Sequence, residues 1–184
     1  MTALIVIDMQ RFFETPTSPI ISNVNNLIEF FHSTNSLVVY TQHGHPPAQL
    51  SGEEVSQLVR FWGAKHSIHR FSESWQLLPN LSPPIPTDIT VKDKDTYDAF
   101  IHTHLEETLL ARGIERVLVT GVLTNFCCET TARSAFNRGF ETWVIGDACG
   151  ANHAEIHASS LRALEAGFGE VVTAKEAIAR LGAE

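Results

Sequence analysis

Three residue types set far apart in the chain could do chemistry together: Asp8, Lys94 and Cys127. Two of the three cysteines, Cys127 and Cys128, stand side by side in "VLVTGVLTNFCCETTARSAFNRGF", residues 117–140. An apolar run precedes them and a helical pattern follows, so Cys127 falls in the first turn after a strand. With Thr124 as cap, a helix starting at Asn125 would put the thiol near the positive end of the helix dipole and among unpaired backbone amides. Both lower a thiol's pKa and favour the nucleophilic thiolate, and the same amides could hold an oxyanion. Gly121 would let the backbone turn sharply beneath. Cys128 points about 100° around the helix from its neighbour and reads as packing; Cys149 reads as structural. A nucleophile needs a proton acceptor and charge stabilisation. Asp8 ends the apolar run "ALIVID", where partial desolvation would raise its pKa toward use as acid and base. Lys94, after "ITVKD", offers a cation to orient that acid. Taken singly, Asp8 is equally a turn cap and Lys94 a surface lysine.

The elements that must position these groups alternate. Apolar, β-branched runs begin at residue 3 and recur at 36–41, 89–93, 116–121, 141–148 and 170–174, as in strands buried on both faces. Helical spacing covers 20–33, 103–112, 125–138, 153–166 and 174–181, several stretches closing on glycine. Strands alternating with helices predict a parallel sheet covered on both faces, an α/β fold whose ligands bind at the carboxyl ends of the strands. The 184 residues, 43% hydrophobic, suit one domain. Residues 42–88 break the rhythm, holding six of the eight prolines with His43, His45, His66 and His69. Such a segment reads as a lid or specificity insertion.

A net charge of −8 argues against nucleic acid or an anionic membrane as partner. No run approaches a bilayer span, and "MTALIVIDMQ" lacks the basic start of a secretory signal. With an odd number of cysteines, free thiols and a cytoplasmic location are expected.

Three blocks then carry a resemblance that covers nearly the whole chain. "LIVIDMQRFF", "KDTYDAFIHTHLEETL" and "VLVTGVLTNFCCETTARSAFNRGF" follow in order, with "VIGDA" and "HASSLRAL" after them. The chain resembles the isochorismatase-like cysteine hydrolases, which include nicotinamidases and N-carbamoylsarcosine amidase. The resemblance implies a three-layer α/β/α sandwich with a central, mostly parallel, Rossmann-like sheet. It implies catalytic roles for Asp8, Lys94 and Cys127; Lys94 lies six residues before Phe100 of the Ala-Phe pair, a spacing Lys92 does not fit. It implies a cis peptide at Val122–Leu123, turning the Leu123 amide toward the site beside that of Cys127 as an oxyanion hole. Nicotinamidases bind a metal through an Asp-x-His. Here His43 replaces that aspartate, beside His45, and Asp98 stands where serine is frequent. His-Gly-His can hold a metal in principle, but the resemblance to relatives with a similar histidine stretch implies none, and no cofactor is expected. Phe13, Trp62, Tyr97 and Phe126, near the motifs, with His43, are candidate walls for a small planar substrate. A dimer or tetramer is expected from the resemblance.

Three functions fit. The first is amide C–N hydrolysis through a Cys127 thioester, the second isochorismate-type vinyl-ether hydrolysis by Asp8 acid catalysis, the third a thiol redox sensor or ligand-binding module. A cysteine accompanied by Asp8 and Lys94 favours the first.

Overall fold

The computed structural model describes residues 1–183. In chain order the elements are β1 (Thr2–Ile7), α1 (Glu14–Thr17), α2 (Ile21–Ser33), β2 (Leu37–Thr41), α3 (Pro47–Ser51), α4 (Gln57–Trp62), β3 (Ile89–Val91), α5 (Leu105–Ala111), β4 (Arg116–Val122), α6 (Glu129–Asn137), β5 (Glu141–Gly150), α7 (Ala154–Glu165), β6 (Glu170–Val172) and α8 (Ala174–Leu181). The six strands form one sheet in the order β3-β2-β1-β4-β5-β6. Every pairing is parallel.

Side chains alternate across the pleat, which divides the core in two. On one face Ile5, Ile7, Val39, Val117 and Val119 pack against α5, α6 and α7 through Leu109, Ala135 and Leu164. On the other, Leu4, Val6, Tyr40 and Leu118 pack against α2 and α8 through Leu27, Phe31 and Ala177. These are the three layers of an α/β/α sandwich. Apolar runs without polar alternation are what strands covered on both faces require.

From β1 the chain winds outward through β2 to β3, then returns to β4 on the other side of β1. A crevice at the carboxyl ends of β1 and β4 is therefore the expected ligand site of such a sheet. Gly121 sits at that junction, level with Ile7. Its φ is +108°, and a Cβ there would lie 2.1 Å from the Ile7 carbonyl oxygen. Backbone cannot yield as a flexible side chain can, so Gly121→Ala is expected to destabilise the fold by about 3 kcal/mol or more. Urea unfolding measures this, and an unchanged midpoint would contradict it.

Residues 42–88 contain α3 and α4 and otherwise run irregularly. The helical stretch at 11–17 and the two short helices of this segment were not foreseen, and β5 runs on through Cys149 to Gly150. Among the described residues no helix is long and apolar enough to cross a membrane.

Candidate active site

Asp8, Lys94 and Cys127 meet at the carboxyl edge of the sheet. Asp8 directly follows β1 with φ +48°, a left-handed conformation that aspartate tolerates better than most residues. Lys94 follows β3 by three residues; its carbonyl accepts from the Gly44 amide at 3.0 Å, while the Gln42 amide donates to Val91 at 2.9 Å. Cys127 lies in a π-helical turn, Thr124–Cys128, between β4 and α6. The Lys94 Nζ donates to Asp8 Oδ2 at 2.6 Å and to Cys127 Sγ at 3.3 Å. Asp8 and Lys94 are wholly buried.

Thr124 does not cap the following helix; its hydroxyl is hydrogen-bonded to His157 Nδ1 at 2.9 Å. The Val122–Leu123 peptide is cis. The Leu123 carbonyl accepts from the amides of Phe126 and Cys128 at 3.0 and 3.2 Å, tightening the turn around the thiol.

Electrostatics reverse two expectations. The Cys127 thiol is pushed up to about 12 rather than down: burial raises it, Lys94 lowers it, and the charge and hydrogen bond of Asp8 raise it again. Helix-dipole help is small beside the loss of water and a neighbouring carboxylate. Burial pushes the Asp8 carboxyl up, but the charge of Lys94 and hydrogen bonds from Lys94 and Thr41 outweigh it, holding the group below its ordinary value. Lys94 is raised to about 12, burial being overcome by Asp8 and Cys127. The resting site thus holds a carboxylate, an ammonium and a protonated thiol.

Sequence reasoning missed two supporting residues. Thr41 Oγ1 donates to Asp8 Oδ1 at 2.5 Å and accepts from the Asp8 amide at 3.1 Å. A signal existed, since Tyr40 is level with Val6, so the last residue of β2 falls at the same edge as Asp8. Thr41→Val removes both bonds, and a loss of about 1–3 kcal/mol is expected with the Asp8 pKa moved upward. Unfolding in denaturant and the acid limb of the rate profile test it; an unmoved limb argues against the role. Gln10, inside the Asp-Met-Gln block, donates from Nε2 to the carbonyls of His43 at 3.0 Å and Trp75 at 2.8 Å, and its Oε1 accepts from the His43 amide at 2.9 Å. It ties the irregular segment to the end of β1.

Asp98 fills a buried niche: Oδ1 accepts from the Phe100 amide at 2.8 Å and Oδ2 from the Ser134 hydroxyl at 2.6 Å. With Thr131 accepting from the Ala99 amide at 3.1 Å, it fastens α6 to the loop that carries Lys94.

Above the triad opens a cavity of about 600 Å³. Phe13, His43, Trp62, Tyr97 and Phe126 all line it, with Leu123 and Cys127. The Tyr97 and Phe126 rings stack 5.0 Å apart at 15°, and Trp62 donates to the Tyr97 hydroxyl at 2.8 Å. The His43 and His45 rings meet edge to face at 4.9 Å, but His45 Nδ1 is engaged by Gln49 at 2.7 Å. Among the described residues no group of three His, Cys, Asp or Glu side chains is placed to hold a metal ion. The residues present therefore do not fit a metal centre.

The isochorismatase domain family model matches residues 2–176. The chain belongs to the isochorismatase family and is a hydrolase of that family. Nicotinamidase 3 of Arabidopsis thaliana is 33% identical over 172 residues, covering 94% of this chain and 84% of the relative. Ureidoacrylate amidohydrolase RutB of Methylobacterium radiotolerans is 30% identical, covering 92% and 75%. A crystal structure of a cysteine hydrolase from Pseudomonas syringae pv. phaseolicola superposes with a TM-score of 0.90 at 27% identity, covering 99% of this chain and 92% of that one.

Proposed function

We propose that the protein hydrolyses the amide C–N bond of a small molecule through a thioester on Cys127. The observation that carries this reading is one ammonium, Lys94, within hydrogen-bond distance of both Asp8 and the Cys127 sulfur at the base of the cavity. The amidohydrolases among the relatives support the same bond type.

Because the thiol rests protonated, its deprotonation is coupled to attack. Asp8 takes the Sγ proton as sulfur bonds to the carbonyl carbon, and Lys94 steadies the charge developing on sulfur. The backbone amides of Leu123 and Cys127 receive the oxyanion. Collapse breaks the C–N bond while Asp8 returns the proton to the departing nitrogen. Water then gives a proton to Asp8 and attacks the thioester; the second collapse expels Cys127, which recovers its proton.

Segment 42–88 acts as the specificity insertion, supported by the share of the cavity wall it supplies through His43, His45, Leu58 and Trp62. A homo-oligomer in the cytoplasm fits three free cysteines and the exposed Phe61 and Phe71 on that segment.

Intact-mass spectrometry after mixing with small amides, ureas and isochorismate tests the proposal. A transient acyl adduct on the wild type, missing from Cys127→Ala, is the expected result. Isochorismate turnover without an adduct, surviving in Cys127→Ala, would overturn it.

A further inference from the structure

The block "HASSLRAL" stands apart from the triad, yet its first residue reaches back toward it. His157 lies in the first turn of α7, with its Nδ1 2.9 Å from the Thr124 hydroxyl. Among the described residues this is the one hydrogen-bond partner of that hydroxyl, and Thr124 is wholly buried. Most side-chain hydrogen bonds in proteins go to backbone or water. Here a side chain 33 residues away is committed instead. Burial lowers the His157 pKa, so the ring is neutral and the bond carries no charge.

Thr124 opens the turn that brings Leu123 and Cys127 to the cavity. The bonds from the Phe126 and Cys128 amides to the Leu123 carbonyl set the shape of that turn, but not where it sits. Lys94 holds one end of it through the Cys127 sulfur. His157 holds the other end, at the residue next to Leu123. Its helix is a firm support, since α7 buries Ser160 and Leu164 and packs on the turn, on β5 and on α6. Amides that stabilise an oxyanion must stand about 2.7–3.1 Å from the oxygen as its charge forms, so a misplacement of about 1 Å forfeits much of their effect.

We propose that His157 is a positioning residue for the reaction: through Thr124 it fixes the turn so that the Leu123 and Cys127 amides face the oxygen on which charge develops. This rests on the thioester reading and adds to it a residue that touches neither substrate nor thiol.

Two reactions of Cys127 in the full chain test this, and neither breaks a C–N bond. With benzaldehyde, labelled with carbon-13 at its carbonyl, the sulfur adds to the carbonyl carbon. The C=O π pair moves to oxygen and the thiol proton ends there, giving a hemithioacetal with its own carbon-13 signal. Iodoacetamide alkylates the same sulfur by displacing iodide, with loss of the thiol proton, and puts no charge on a carbonyl oxygen. His157→Leu is expected to weaken the hemithioacetal at least ~10-fold and to change the alkylation rate less than ~3-fold, as misplaced oxyanion donors imply. His157→Asn, whose amide offers a donor or an acceptor near the place of Nδ1, is expected to restore the adduct to within ~3-fold of wild type. Should His157→Leu not fold, Thr124→Val against Thr124→Ser makes the same comparison from the other side of the bond. On any amide that is cleaved, the loss falls on kcat, with KM little changed. Equal effects on both reactions, which a merely structural role would give, overturn the proposal. So do an unchanged hemithioacetal, a His157→Asn protein as weak as His157→Leu, and a wild type that forms no adduct. If no amide is cleaved but the aldehyde pattern holds, the amidohydrolase reading fails and the role of His157 stands.

Discussion

Replacing Cys127 by alanine is expected to lower kcat/KM by at least ~10,000-fold, the scale seen when a covalent nucleophile is removed. No second thiol can substitute. Cys128 is fully buried in the cluster beneath α6 and is absent from the cavity wall, and Cys149 is buried in β5. The fold should survive, because losing one sulfur from a side chain already 4% exposed costs about 1 kcal/mol. Steady-state kinetics on any cleaved amide, with urea unfolding alongside, separates the two effects. Retained turnover would move the chemistry to Asp8 alone.

Lys94→Met is expected to produce the largest loss of stability among the site variants, about 3–5 kcal/mol at neutral pH. Methionine keeps the length of the side chain but leaves the Asp8 carboxylate wholly buried, with Thr41 as its remaining side-chain donor. Adding Asp8→Asn should restore much of the stability and none of the activity, because it removes the stranded charge along with the base. The pH dependence has a definite sign. Asp8 has a folded value below its ordinary 3.8, so its contribution is present above 3.8 and is lost as pH falls through the folded value. Lys94 is raised from 10.5 to about 12, so its contribution is present below 10.5 and fades as pH rises toward 12. Wild type should therefore gain most over Lys94→Met between those limits, and the gap should narrow in acid. Urea midpoints at several pH values measure it; a gap that widens in acid would contradict the pairing.

The sheet was legible because buried parallel strands announce themselves as unbroken apolar runs, and "ALIVID" and "RVLVTG" fall where β1 and β4 lie. The long helices were legible from apolar spacing in 20–33 and 153–166, each displaced by about a residue at its ends. That Asp8, Lys94 and Cys127 meet was legible in part from strand ends, but Lys94 only through motif resemblance, since nothing local distinguishes it from Lys92. Segment 42–88 was not, because its path depends on distant partners. Gln10 reaches His43 and Trp75 across 33 and 65 residues, and no local pattern records such bonds. The ionisation of Cys127 and Asp8 was read in the wrong direction for a related reason. A helix terminus is visible in sequence, whereas complete burial and a lysine 86 residues away from Asp8 are not.

A proposed nucleophile that rests as a thiol, almost sealed from solvent, has a pharmacological consequence. Reaction with iodoacetamide or peroxide tracks thiolate content and access, and Cys127 offers little of either at rest. Broad thiol-reactive screens would score this protein as lacking a reactive cysteine. A covalent inhibitor has to enter the cavity first and draw the proton to Asp8 as its own electrophilic carbon is attacked, so selectivity against more exposed cysteines in a proteome comes from shape before reactivity.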